Sequence, residues 1–177
     1  MLVRSLALLI LLTLGACASL PGPGPGPGPG AEEGIEFAPW RLPENKPREV
    51  VQMLNGSYGA QDFTLQVRLS LTPERMQVAA LDLLGRRVFD ITWDARGVAA
   101  SRAEWVSAEM NAVDILKVIV ATYWPADDPM QARVADRTAS LIITYQTTRE
   151  HAWNEQVAIR DPKWNYEMTI ISYELAL

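Results

Sequence analysis

Residues 63 to 71 alternate without a fault: Phe63, Leu65, Val67, Leu69 and Leu71 fall on one face, Thr64, Gln66, Arg68 and Ser70 on the other. A period of two sends successive side chains to opposite sides of a pleated ribbon, so the segment is predicted as a half-buried strand. Thr72-Pro73-Glu74-Arg75 reads as a turn, and Met76 to Leu84 returns as a second, less regular strand. Arg87 to Trp93 is the third, with Phe89, Ile91 and Trp93 on one side and Asp90 and Thr92 on the other. Asp94 to Gly97 closes another hairpin, its Gly suited to a positive φ. Towards the end of the chain, Thr138 to Gln146, Trp153 to Arg160 and Trp164 to Leu175 read as three further strands.

Between the two groups the period changes to that of a helix. Ala112, Ile115, Leu116, Ile119, Val120 and Tyr123 form a broad stripe, with Asp114 and Lys117 facing away. Asn111 is placed to cap the first turn and Pro125 to end the last. Strands, an inserted helix and more strands predict an α+β domain with one antiparallel sheet over residues 35–177.

The first residues follow a different logic. Arg4 precedes an apolar run from Leu6 to Leu14, about half the ~20 residues a spanning helix needs, so residues 1–16 read as a signal peptide. Leu14-Gly15-Ala16-Cys17 resembles a bacterial lipoprotein box, which implies acylation of Cys17. Ala18 and Ser19 follow the Cys with no Asp at the second position, implying export to the outer membrane. Five Pro-Gly pairs, Pro21 to Gly30, have nothing to bury and read as a tether, so residues 17–34 form the lipidated Cys and its spacer.

Composition removes several functions. Lys and Arg number 16 against 21 Asp and Glu, a net charge of −5 that suits nucleic acid poorly. With one Cys and one His in 177 residues, a Cys/His metal site or a Cys–His nucleophile is not expected. His151 lies in a polar turn, and Asn55-Gly56-Ser57-Tyr58-Gly59 lacks the first Gly of a nucleophile elbow. Asp127 and Asp128 are sequence neighbours, whose side chains point apart in most backbones. No catalytic residue, metal site or cofactor is expected.

What remains is an apolar load of 49%, including six Trp. It either fills an ordinary core or lines a hollow between a curved sheet and the helix. In the second case Phe63, Leu65, Val67, Leu69, Phe89, Ile91, Trp93, Ile115, Leu116, Ile119 and Tyr123 are the candidate cargo-binding positions.

The order of elements is similar to that of the lipoprotein-localisation carriers LolA and LolB. It resembles more closely a family of outer-membrane lipoproteins of that fold which accompany aryl polyene synthesis genes. The resemblance is carried by Leu81 to Asp94, by Val113 to Trp124 with Pro125, and by Tyr166 to Leu175, spread over residues 49–175. It implies an incomplete antiparallel β-barrel under a helical lid. It also implies a periplasm-facing, acyl-anchored carrier or acceptor of lipid, an aryl polyene-like lipid or lipoprotein acyl chains, with a periplasmic carrier protein as partner. An assembly lipoprotein that binds a protein through its sheet is the alternative. In LolB-like proteins a Leu before a Gly in a strand-connecting loop inserts into the membrane; Leu84-Gly85 matches that position, with Leu83 where those proteins tend to have Pro. Leu84 is therefore either a protruding insertion residue or a buried strand end.

Overall fold

A computed structural model describes residues 37–106 and 111–176. The signal peptide, Cys17 and the Pro-Gly tether lie outside the described residues.

Eight strands form one antiparallel sheet: β1 (Arg48–Tyr58), β2 (Gln61–Leu71), β3 (Arg75–Asp82), β4 (Arg87–Asp94), β5 (Gly97–Arg102), β6 (Ile142–Tyr145), β7 (Gln156–Asp161) and β8 (Tyr166–Leu175). Their spatial order is β5-β4-β3-β2-β1-β8-β7-β6, so the sheet is curved and unclosed, with β5 and β6 at its edges. Helices α1 (Ala112–Tyr123) and α2 (Pro129–Thr138) join β5 to β6. No helix among the described residues is long and apolar enough to cross a membrane.

The alternation in β2 became burial as expected: Leu65, Val67, Leu69 and Leu71 are buried, Gln66 and Arg68 exposed. Met76, Val78 and Ala80 of β3, Phe89, Ile91 and Trp93 of β4, and Met168 and Ile170 of β8 continue the same inner face. Asn111 caps α1, its Oδ1 accepting from the amides of Val113 (2.8 Å) and Asp114 (3.3 Å).

Several expected elements change. β1 was not expected, nor was α2, where one helix was read; the hairpin expected at Asp94 to Gly97 is the β4–β5 turn, whose second strand no period marked. Asp128 caps α2 by accepting from Met130 N at 2.8 Å, ahead of a Pro whose missing N–H costs nothing in the first turn. The strand expected over 138–146 shrinks to β6, because Thr138 ends α2. The strand expected from Trp153 begins at Gln156, because Arg149–Asn154 form a 3-10 turn that buries Ala152 and Trp153.

The two ends of the sheet differ. At one end Trp40, Trp93, Trp124 and Trp153 pack ring against ring, with Trp93 stacked on Trp124 at 6.2 Å and Tyr123 against Trp153 at 4.4 Å. Two of the indole N–H groups find carbonyls: Trp40 donates to Thr72 O and Trp93 to Ala38 O, both at 2.8 Å. That end is plugged. The C-terminal turn of α1 sits there, and its orphan carbonyls are taken by side chains from three other segments. Gln131 donates to Val120 O and Trp124 O, Tyr145 to Thr122 O, and Arg149 to Ala121 O and Trp124 O.

At the other end lie the tips of three hairpins. Tyr58 opposes both Gln61 and Tyr166, and Leu65 opposes Asp82, so the β1–β2, β7–β8 and β3–β4 tips share that end. Here Gly56 has room for no Cβ: an added carbon would stand 2.4 Å from Glu167 O and 2.8 Å from the Phe63 ring. Its bare backbone lets Phe63 fold across β1 and stack on Tyr166 at 6.4 Å.

Candidate functional site

A cavity of about 550 Å³ lies between the inner face of the sheet and α1. The volume falls within the ~300–1,000 Å³ range of small-molecule sites. Its walls are apolar: Leu54, Phe63, Leu65, Val67 and Phe89 from one side of the sheet, Met168 and Ile170 from β8, Ile115, Val118 and Ile119 from α1. One side of α1 faces the hollow while Leu116, Val120 and Trp124 pack into the core.

Seven of the eleven expected cavity residues line it: Phe63, Leu65, Val67, Phe89, Ile115, Ile119 and Tyr123. The other four are corrected. Leu69, Ile91, Trp93 and Leu116 are at most 2% exposed and lie in the packed core, Trp93 within the Trp cluster that fills the space between sheet and helix at the plugged end. Alternation told which face each occupies, and nothing in it told how far along the sheet the filling extends. Gln52, Leu54 and Tyr58 were missed with β1 itself. Tyr166, Met168 and Ile170 alternate in sequence and could have been chosen from that signal.

The inner end of the cavity is polar. Gln52 Nε2 donates to Tyr123 Oη at 2.8 Å and to Ser172 Oγ at 3.0 Å, and the two hydroxyls are 3.2 Å apart. Burial pushes the Tyr123 phenol far above its ordinary pKa, against the pull of its bonds to Ser172 and Gln52, so it stays neutral. Tyr166, whose hydroxyl donates to Met168 Sδ, is pushed up by burial as well.

The outer end is a charged rim. Gln61 and Asp62, Asn111, Asp114 and Lys117, Asp136, Arg137 and Ser140, and Lys163 with Trp164 surround the opening. Buried Asp161 pins two of these segments together, accepting from Ser140 Oγ at 2.9 Å and from Lys163 N at 3.0 Å.

Beside the rim, on the same end, stands the β3–β4 turn. Leu84 is 79% exposed and Leu83 74%, which removes the buried strand-end alternative. Gly85 takes φ +75°, and Asp82 fixes the turn by accepting from Leu84 N, Arg86 N and Arg86 Nε. Desolvation raises the Asp82 carboxyl, but these bonds outweigh it and hold its pKa below the ordinary value. Trp105, half exposed, lies under the Arg86 guanidinium at 4.3 Å.

The remaining titratable candidates have structural partners. His151 is exposed, with Nδ1 3.0 Å from Thr148 Oγ1, and Asp128 serves the α2 cap and Arg41. Among the described residues no group of three or more His, Cys, Asp or Glu could hold a metal ion.

A family model described as a protein of unknown function (DUF3261) matches residues 49–174, which span every strand but the first residue of β1 and the last of β8. No curated protein matches the chain.

Proposed function

Because the chain belongs to the DUF3261 family, whose description leaves function open, we propose its role from the cavity: a non-catalytic carrier or acceptor of an apolar, lipid-like cargo. One observation carries the reading. The space between sheet and helix is left open at one end while the aromatic cluster fills the other. A protein that needed only a core would close both, since empty apolar volume costs stability.

The energetics suit a long chain. Each buried methylene contributes ~0.8 kcal/mol, so about ten of them offset much of the association cost. On this reading α1 and α2 act as the lid of an incomplete barrel, in the manner of the LolA and LolB carriers. α1 is clamped at its C-terminal end by Gln131, Tyr145 and Arg149, so movement of its N-terminal end would widen the mouth. Leu83, Leu84 and Trp105 stand on the same end as the mouth and would enter a membrane while Arg86 and Arg87 meet its head groups. Acyl chains on Cys17, followed by the Pro-Gly tether, would hold the domain at the periplasmic face of the outer membrane.

A second reading, an assembly lipoprotein that binds a protein partner, is favoured by one feature. The four-residue edge strand β6 and the outer face of β8 expose Ile142 and Tyr173 by more than half. Purification of the chain without its acyl anchor, followed by native mass spectrometry and organic extraction, separates the two. Co-purified lipid-like mass supports the carrier; an empty domain that captures a protein through β6 or β8 supports the scaffold.

A further inference from the structure

We propose that the inner end of the cavity is a seat for a hydroxyl group, so that the preferred cargo is a long apolar chain carrying a terminal alcohol or phenol that enters first. The inference rests on the carrier reading and deepens it.

The argument is a count of hydrogens. Gln52, Tyr123 and Ser172 are 2%, 3% and 1% exposed, so water satisfies little of their bonding capacity. The two hydrogens on Gln52 Nε2 go to the two hydroxyl oxygens. One hydroxyl hydrogen bridges Tyr123 and Ser172, whose oxygens lie 3.2 Å apart. One hydroxyl hydrogen is left over. Gln52 Oε1 accepts no hydrogen bond among the described residues, and both Gln52 and Tyr123 line the cavity. One donor and one acceptor therefore remain at the inner end of a hollow whose sheet and α1 walls are largely apolar.

The group that fits must donate and accept in a small volume, and a hydroxyl does both. If the Gln52 amide is turned over, its oxygen takes both hydroxyl hydrogens and its NH₂ becomes the free end; a ligand hydroxyl then accepts instead. Two other chain ends fit poorly. A methyl leaves the polar pair unpartnered, which buried groups resist. A carboxylate brings charge without a proton, and Arg48, four residues back along β1, is already held by Glu174 at 2.7 Å and Glu44 at 2.9 Å.

The distances favour a chain. From Gln52 to Tyr58 at the mouth, β1 advances six residues, about 20 Å at the rise of a strand. A ligand seated on Gln52 thus reaches the rim, where Lys117, Lys163 and Arg137 face a second polar end.

The test uses the whole chain carrying Cys17→Ser, loaded with fluorescent parinaric acid and displaced by palmitate or by ω-hydroxypalmitate. Both ligands keep a carboxylate for the rim and differ only at the far end. The hydroxylated chain is expected to bind about three- to tenfold more tightly, the value of one or two net hydrogen bonds. Gln52→Leu should bring the ratio to within roughly twofold by removing the acceptor. Gln52→Met, which removes the same acceptor with a side chain closer in shape, checks the same loss should the Leu variant fail to fold. Equal affinities, or tighter palmitate, would overturn the hydroxyl seat and leave the carrier reading standing. No uptake of parinaric acid at all would overturn both.

Discussion

Gln52 on the inner face of β1 donates to Tyr123 in the last turn of α1 at 2.8 Å. This bond joins residues 71 positions apart and ties the helix to the sheet where the filled and open parts of the interior meet. Tyr123→Phe keeps the ring against Trp153 but leaves one Gln52 N–H unserved. We expect a loss of about 1–2 kcal/mol, read from urea unfolding followed by Trp fluorescence.

The same phenol sets a limit at high pH. In the unfolded chain a tyrosine ionises near pH 10, whereas folded Tyr123 keeps its proton well beyond that. Above pH ~10 the unfolded state binds fewer protons, so stability falls as pH rises, by roughly 1.4 kcal/mol per unit for this group. Tyr123→Phe should flatten the decline, measured as midpoint against pH from 9 to 11.

Asp82 gives the opposite sign in acid. Its folded pKa is lowered by the bonds to Leu84 and Arg86, so its contribution is present above about pH 3.9 and is lost as pH falls through the depressed value. The β3–β4 turn should loosen first, seen as faster amide exchange at Leu84 and Arg86 below pH 4 while β2 stays protected.

How much of this was legible depends on contrast along the chain. β2, β4 and α1 put carbon on one side and polar groups on the other, and their faces read correctly. β1 did not, because it buries Arg48 and Gln52 and puts Gly56 on the same face, while turning Val51 and Met53 outward. Those inversions have reasons: Arg48 meets Glu44 and Glu174, Gln52 meets Tyr123, and Gly56 makes way for Phe63. β5 is too small-featured, Val98-Ala99-Ala100-Ser101, to show a period. α2 buries only Met130 and Val134, one pair four residues apart. The polar seat was illegible for a stronger reason, since it gathers one residue each from β1, α1 and β8.

Leu84→Glu, alone or with Leu83→Glu, should leave stability within ~0.5 kcal/mol because both side chains are exposed. Binding to lipid vesicles and transfer of cargo into them should drop severalfold. Unchanged transfer by a normally folded variant would remove the insertion role.

The clamp on α1 is testable apart from cargo. Arg149→Ala removes two hydrogen bonds at the C-terminal end of the helix, leaving Ala121 O without its side-chain donor while Trp124 O keeps Gln131, and should cost about 1–3 kcal/mol. Faster hydrogen exchange is expected across the last turn of α1 in the variant, with the β1–β2 pairing unaffected.

The location of a guest is the most direct test of a carrier interior. Stearate with a doxyl spin label at its far end should broaden the amide signals of Leu54, Leu65 and Ile119, which line the hollow, and spare Arg96, in the β4–β5 turn beyond the plugged end. Broadening confined to Leu83, Leu84 and Trp105, with the interior signals untouched, would contradict the account.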